Sequence, residues 1–185
     1  MSSMNVSRPE DLIPALENHR RVILGHGPTP IDPMDRLGKD LGIELWAKRD
    51  DCNGLAFGGN KVRQLEYYLG PGVDKNADTV LITGALQSNF VRLTAAAACK
   101  LGWEAHVQLE ERVPNNDQLY RTSGNLYLNN LLGAVTTYFP EGENEAGADL
   151  ALDDLAAELE TKGRRPYVIH LGLNSTPYGG LGYIR

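Results

Sequence analysis

The chain has 185 residues, of which 42% are hydrophobic and 23% charged, a composition typical of a globular protein with one good core. The net charge of -6 argues against nucleic acid or a membrane surface as a partner, so an anionic ligand needs a local site. Cys52 and Cys99 form no CxxC pair, which fits a cytoplasmic location. The four histidines lack zinc-ligand spacing, and we predict no metal site.

The first part of the chain carries few signals of regular structure. Prolines interrupt the segment up to residue 40, and a strand is predicted at residues 44–48. The polar loop DDCNGLAFGGN follows this strand. Asn60 is expected to cap the next helix, and Gly70-Pro71 is expected to end it.

From residue 79 onward, strand patterns alternate with helix patterns. The predicted strands span residues 79–83, 104–109, 135–139 and 167–171, and the predicted helices span residues 88–101, 120–132 and 148–162. Crossovers of this length require parallel pairing, so the fold class is α/β, with an open, mainly parallel sheet covered by helices. Ligands of such sheets bind at the carboxyl ends of the strands, where the loops GALQSN and GLNSTPYGG fall.

The GALQSN loop has the features of a small anion site. It follows a strand, and Ser88-Asn89 opens a helix whose first N–H groups and positive dipole end attract a carboxylate or a phosphate. Taken alone, the pattern is explained better by Ser88 acting as an ordinary helix cap. The loop does not match a GxGxxG or a Walker-type phosphate loop.

The FGGNK segment places Lys61 at the first turn of the next helix, directly after two flexible glycines. A helix N-terminus disfavours positive charge, and Schiff-base chemistry requires a neutral amine. Most lysines are solvated surface residues, and the spacing alone does not exclude that reading of Lys61.

Three longer segments resemble one family. KRDDCNGLAFGGNKVRQLEYYL resembles the cofactor-lysine segment of the D-cysteine desulfhydrase and 1-aminocyclopropane-1-carboxylate (ACC) deaminase family. GALQSNFVRLTAAAACKLG and PYVIHLGLNSTPYGGLGY resemble the two segments that follow it, in family order. The resemblance implies a pyridoxal-phosphate-dependent enzyme of fold type II, the tryptophan-synthase-β-like fold, and a homodimer.

The resemblance also implies a role for each matching residue. Lys61 corresponds to the lysine that carries pyridoxal phosphate, and Asn60 precedes it and orients it. Asn89 corresponds to the asparagine that bonds the 3′-oxygen of the cofactor. Ser88 corresponds to the serine beside the substrate. The backbone from Ser88 to Phe90 is expected to bind the substrate carboxylate. The glycines of GLNSTPYGG are expected to line the cleft.

The implied activity is that of a lyase or deaminase acting on a small amino acid. D-cysteine desulfhydrase activity ranks first, because of the QSNxVR context, and ACC deaminase and cysteate sulfo-lyase are the alternatives. Phe90 departs from the family, whose members commonly place His or Gln there. This phenylalanine indicates either an extra core aromatic or a different substrate, so the substrate stays open.

The resemblance predicts a division of the chain and an incomplete site. Residues 1–40 are assigned to the cofactor domain, residues 41–60 to the strand and loop before the lysine, and residues 61–175 to a small α/β domain. Residues 176–185 begin the return into the large domain. The phosphate-binding loop and the partner of the pyridine nitrogen follow GGLGY in the family, so the chain is expected to lack the C-terminal part of the fold. A truncated, non-catalytic homologue is the alternative from another functional class.

Overall fold

The structure is a computed structural model that describes residues 14–115, 117–172 and 175–184. In this part of the chain, four parallel strands form the main sheet in the order β5-β4-β3-β6. The strands are β3 (Thr79–Ala85), β4 (Glu104–Glu110), β5 (Val135–Phe139) and β6 (Pro166–Ile169). The predicted α/β class with an open parallel sheet is therefore confirmed.

A second, smaller sheet precedes the main one. It pairs β1 (Ile31–Pro33) with β2 (Trp46–Lys48) in antiparallel register. The sequence predicted the second of these strands, two residues too long, and missed the first because proline lies within it and beside it.

Helices connect and cover these strands. They are α1 (Asp35–Leu41), α2 (Lys61–Tyr68), α3 (Gly70–Asp74), α4 (Asn89–Leu101), α5 (Gln118–Thr122), α6 (Gly124–Leu131) and α7 (Glu145–Thr161). Three short 3-10 helices span Pro14–Asn18, Asp50–Cys52 and Tyr178–Tyr183. None of the helices within the described ranges is both long enough and apolar enough to cross a bilayer.

The core lies on both faces of the sheet because successive side chains of a strand point to opposite faces. On β3, Val80 and Ile82 pack in the main cluster with residues of α2 and α4. Leu81 points the other way and packs against Leu152 and Leu159 of α7. The alanine run of α4, residues 95–98, is buried, and such small side chains let this helix lie close to the sheet.

The predicted helix at residues 120–132 is wrong in one respect, because it is broken into α5 and α6 at Ser123. Gly124 has a φ of 61°, a left-handed conformation that favours glycine. The amide of Gln87 fills the break: its Nε2 donates to the Tyr120 and Ser123 carbonyl oxygens at 2.7 and 3.0 Å. Its Oε1 accepts from the Asn125 backbone N–H at 2.9 Å, so a distant side chain replaces the missing helical bonds.

Of two further local predictions near Lys61, the one for the helix end is confirmed and the one for the cap is wrong. α2 ends at Tyr68, before Gly70-Pro71, and the separate helix α3 begins at Gly70 with proline in its first turn, where no backbone N–H is required. Asn60 occupies the position before α2 but has helical dihedral angles and makes no capping bond with its side chain. Its side chain bonds residues from elsewhere in the chain instead.

Tyr167 on β6 provides a pH-dependent prediction. Burial raises its pKa from the ordinary value of 10.0 to about 12. The unfolded chain therefore loses this proton first as the pH rises, and the folded state loses stability between about pH 10 and pH 12. Tyr167→Phe is expected to reduce that alkaline loss of unfolding free energy, measured by urea titration, whereas Tyr127→Phe at an exposed site leaves it unchanged. An identical decline in Tyr167→Phe and the parent contradicts the prediction.

Candidate active site

Lys61 and the N-terminal turn of α4 meet at the carboxyl end of β3. Lys61 is the first residue of α2, and Phe90 is the second residue of α4. The Lys61 Nζ atom lies 5.4 Å from the centroid of the Phe90 ring. It also lies 3.3 Å from Oε1 of Gln64, one turn further along α2. Lys61 is half-buried. It lies at the carboxyl end of the strand, where the sequence predicted a ligand site.

The loop before Lys61 has an unusual backbone. Ala56, Phe57, Gly58 and Gly59 all have positive φ angles, of 40°, 69°, 66° and 133°. Such angles are costly for alanine and phenylalanine, and strained backbone of this kind is concentrated at functional sites. At Gly58 a Cβ would overlap the backbone of Asp51, so this position requires glycine for space as well as for conformation.

Arg92 of α4 holds this loop in place. It is buried, and its guanidinium donates to the carbonyl oxygens of Ala56 and, at 3.1 Å, of Gly58. Burial lowers the pKa of Arg92. Asn53 adds a bond from its Nδ2 to the Gly59 carbonyl oxygen at 2.8 Å. The strained loop is therefore held by one side chain that precedes it, Asn53, and by one from α4, Arg92.

Removing the Arg92 guanidinium is expected to destabilise the protein. Arg92→Met leaves the carbonyl oxygens of Ala56 and Gly58 without these donors, at an expected cost of about 2 kcal/mol in unfolding free energy. The measurement is urea unfolding followed by circular dichroism. The matched control is Arg36→Met at an exposed position, which is expected to change stability by no more than about 0.5 kcal/mol. Equal stabilities for the two variants contradict this role.

Ser88 is the N-cap of α4, and its Oγ accepts from the Val91 N–H at 3.3 Å. This is the capping role that the sequence left open, and it still leaves the hydroxyl proton of Ser88 available as a donor. The N–H groups of Asn89 and Phe90 belong to the first turn, where the helix itself provides no acceptor. Together these donors form the anion-binding arrangement expected of a helix N-terminus.

Asn60 and Asn89 are brought together across the site. The Nδ2 of Asn89 lies 3.4 Å from the Oδ1 of Asn60, although the two residues are 29 positions apart. A Cβ at Gly59 would lie 3.4 Å from the same Nδ2 atom, so glycine leaves room there for the Asn89 amide. The predicted cofactor-binding residues Lys61, Asn60 and Asn89 therefore share one site.

Phe90 has features of both roles that the sequence predicted for it. Its side chain is buried, and its ring centroid lies 5.9 Å from that of Tyr68 in a tilted arrangement. The same ring lies beside the Lys61 amine. Phe90 is a core residue that also provides an apolar wall of the site.

Tyr183 and Gln64 are site residues that the sequence analysis missed. The Tyr183 hydroxyl lies 3.1 Å from the Nδ2 of Asn60 and 3.0 Å from the Nε2 of Gln64. Tyr183 belongs to the GGLGY segment, but that motif gives no indication of a partner more than 100 positions earlier.

Among the glycines of the GLNSTPYGG loop, Gly179 has a packing role. A Cβ at Gly179 would overlap the ring of Tyr68 on α2. This close approach brings the end of the described chain against the lysine helix. Leu173 and Asn174 of the same loop lie outside the described residues.

The donors present fit pyridoxal phosphate. A half-buried lysine amine beside the Phe90 ring, two bonded asparagine amides and the N-terminus of α4 occur together in this site. A lysine amine can bind the aldehyde of this cofactor, and amide N–H groups can donate to its phenolic 3′-oxygen. The helix N-terminus suits the carboxylate of an amino acid.

Comparisons with known proteins identify a family and several relatives of the chain. The family model described as "Pyridoxal-phosphate dependent enzyme" matches residues 22–184. The 1-aminocyclopropane-1-carboxylate deaminase of Mesorhizobium japonicum (strain LMG 29417 / CECT 9101 / MAFF 303099) is 42% identical over 172 residues, which cover 91% of this chain and 51% of the relative. The enzyme of the same name from Bradyrhizobium diazoefficiens is 41% identical with the same coverage.

A solved structure shows the same likeness at the level of the fold. The structure titled "Crystal Structure Analysis of the ACC deaminase homologue" superposes with a TM-score of 0.82 at 35% identity and covers 96% of this chain and 51% of that chain. The chain thus spans about half the length of the relatives that it matches. The family match covers most of the chain and confirms the resemblance, and the chain belongs to the pyridoxal-phosphate-dependent enzyme family.

Proposed function

We propose that this chain supplies the lysine-bearing part of a pyridoxal-phosphate-dependent active site that deaminates a small amino acid. The observation that carries the proposal is the position of the Lys61 amine, beside Phe90 in the first turn of α4. Asn60 and Asn89 are bonded to each other at the same point. An amine for the cofactor and an anion site for the substrate carboxylate are therefore adjacent.

Each residue has a defined task in this proposal. Lys61 would hold the cofactor through its Nζ atom. The freed amine would take a proton from one ring CH2 of ACC, whose Cα carries no hydrogen, and return it to the other ring carbon as the ring opens. Asn89 would donate to the cofactor's 3′-oxygen, and Asn60 would orient the lysine. When bound, pyridoxal phosphate accepts electrons from the bonds at the substrate's Cα atom and so weakens them. Ser88 and the first N–H groups of α4 bind the substrate carboxylate.

ACC is the substrate that we propose first. The relatives at 40–42% identity carry the name of that deaminase. Phe90 and Tyr68 give the site an apolar wall, which suits a cyclopropane ring. The sulfonate of cysteate would place an unpaired negative charge against this wall, which is costly. D-cysteine, the first choice from the sequence, stays a prediction and is the second substrate to assay.

The test is a substrate panel with the purified protein loaded with pyridoxal phosphate. Formation of 2-oxobutanoate and ammonia from ACC is the expected result. Formation of pyruvate and sulfide from D-cysteine would retain the enzyme class and change the substrate. A loaded protein of the relatives' full length that includes this chain and makes no keto acid from any substrate contradicts the proposal and favours a non-catalytic homologue. A homodimer and a cytoplasmic location stay predictions from the resemblance and the cysteine content.

A further inference from the structure

Two side chains outside the predicted site, Gln64 and Tyr183, form a hydrogen-bonded network with Lys61. The Oε1 of Gln64 lies 3.3 Å from the Lys61 amine. The Nε2 of Gln64 lies 3.0 Å from the hydroxyl of Tyr183, a residue 119 positions further along the chain. The network therefore connects the lysine helix to the 3-10 helix Tyr178–Tyr183.

The available donors and acceptors determine the direction of every bond. The Lys61 amine donates to the amide oxygen of Gln64, and the amide NH2 of Gln64 donates to the Tyr183 hydroxyl oxygen. The Tyr183 oxygen also accepts from the Asn60 Nδ2 at 3.1 Å, and its proton is donated to the Asn60 carbonyl oxygen at 3.4 Å. Both acceptor positions and the one donor of this hydroxyl are thereby occupied.

The same network reaches the N-terminus of α4. Because the Asn60 Nδ2 is bonded to Tyr183, the Asn60 Oδ1 faces Asn89 and accepts from its Nδ2 at 3.4 Å. Rotating the amide of Gln64 would exchange its Oε1 and Nε2, so the Lys61 amine would lose the acceptor to which it donates. Tyr183 is therefore bonded both to Asn60, which precedes Lys61, and to Gln64, which follows it.

We propose that Gln64 and Tyr183 are positioning residues for the Lys61 amine, an inference that rests on the proposed role of Lys61. Gln64 holds the amine next to Phe90, and Tyr183 holds the amides of Gln64 and Asn60. The Tyr183 side chain is 48% exposed, so water competes for its bonds. Each of the substitutions Tyr183→Phe and Gln64→Met is therefore expected to weaken cofactor attachment by about fivefold, the factor that corresponds to a net loss of one hydrogen bond.

The first test reads the environment of Lys61 directly, without the cofactor. The full chain is labelled with 13C at the ε-carbon of lysine, and the Cε cross-peaks are recorded by NMR. Tyr183→Phe and Gln64→Met are expected to shift the Lys61 cross-peak and to leave those of Lys39 and Lys162 in place. The matched control is Tyr178→Phe in the same 3-10 helix. An unmoved Lys61 cross-peak in both variants overturns the inference.

The second test measures attachment of pyridoxal phosphate by titration of its visible absorbance. Tyr183→Phe and Gln64→Met are expected to weaken attachment by about fivefold each, and Tyr178→Phe to have no effect. Attachment equal to that of the parent in both variants overturns the inference while leaving the proposed function intact. If the parent chain itself attaches no cofactor, the proposed function fails, and the NMR test still decides whether Gln64 and Tyr183 position Lys61.

Discussion

Gly182→Ala is expected to be one of the most destabilising single substitutions in this protein. A Cβ at this position would overlap the backbone carbonyl oxygen of Arg63 on α2, which a side-chain rotation cannot relieve. The 3-10 helix must move away from α2, at an expected cost of about 3 kcal/mol in unfolding free energy. That cost corresponds to a decrease in melting temperature of about 10 °C for a chain of this size.

The neighbouring Gly180 provides the matched control. A Cβ there would have no described atom within 4 Å, so Gly180→Ala is expected to fold and melt like the parent. Thermal unfolding followed by circular dichroism compares the two alanine variants in the same segment. Equal melting temperatures would mean that the 3-10 helix does not pack on α2 in solution.

Lys61→Ala is expected to have the largest effect on function. The proposal assigns this amine both to cofactor attachment and to proton transfer, so the variant should lose the visible absorbance of attached pyridoxal phosphate. Keto-acid formation should fall by about a thousandfold or more. The side chain is half-buried and contributes little to the core, so the variant is expected to remain folded.

Lys39→Ala is the control for this substitution. Lys39 lies exposed in the last turn of α1, away from the site, and its loss should leave the absorbance and the activity unchanged. Retention of the attached cofactor in Lys61→Ala would move the attachment point to another lysine and would remove the basis of the proposed function.

Local signals in the sequence predict the sheet and one side of the site. The run TVLIT predicts β3 because it is a short apolar segment between turn residues, and the strand is found there. Gly102 predicts the end of α4, and it has the left-handed conformation that favours glycine at this position. Ser88 predicts the start of α4, and its hydroxyl is bonded as a cap.

Contacts between distant parts of the chain explain what the sequence could not predict. The helix at residues 120–132 is broken because the amide of Gln87, more than 30 positions earlier, bonds its backbone. Asn60 does not cap α2, since its side chain bonds Tyr183 and Asn89 instead. Periodicity and capping rules relate residues that are close in the sequence, so they cannot identify such distant partners. For this reason the sequence analysis missed Gln64 and Tyr183.

The most direct test of the role of Lys61 is borohydride reduction of the protein with pyridoxal phosphate, followed by intact-mass measurement and peptide mapping. The account predicts one reduced cofactor adduct per chain, located on the peptide that contains Lys61. Adducts distributed over exposed lysines such as Lys39 and Lys162, with none enriched at Lys61, would contradict it.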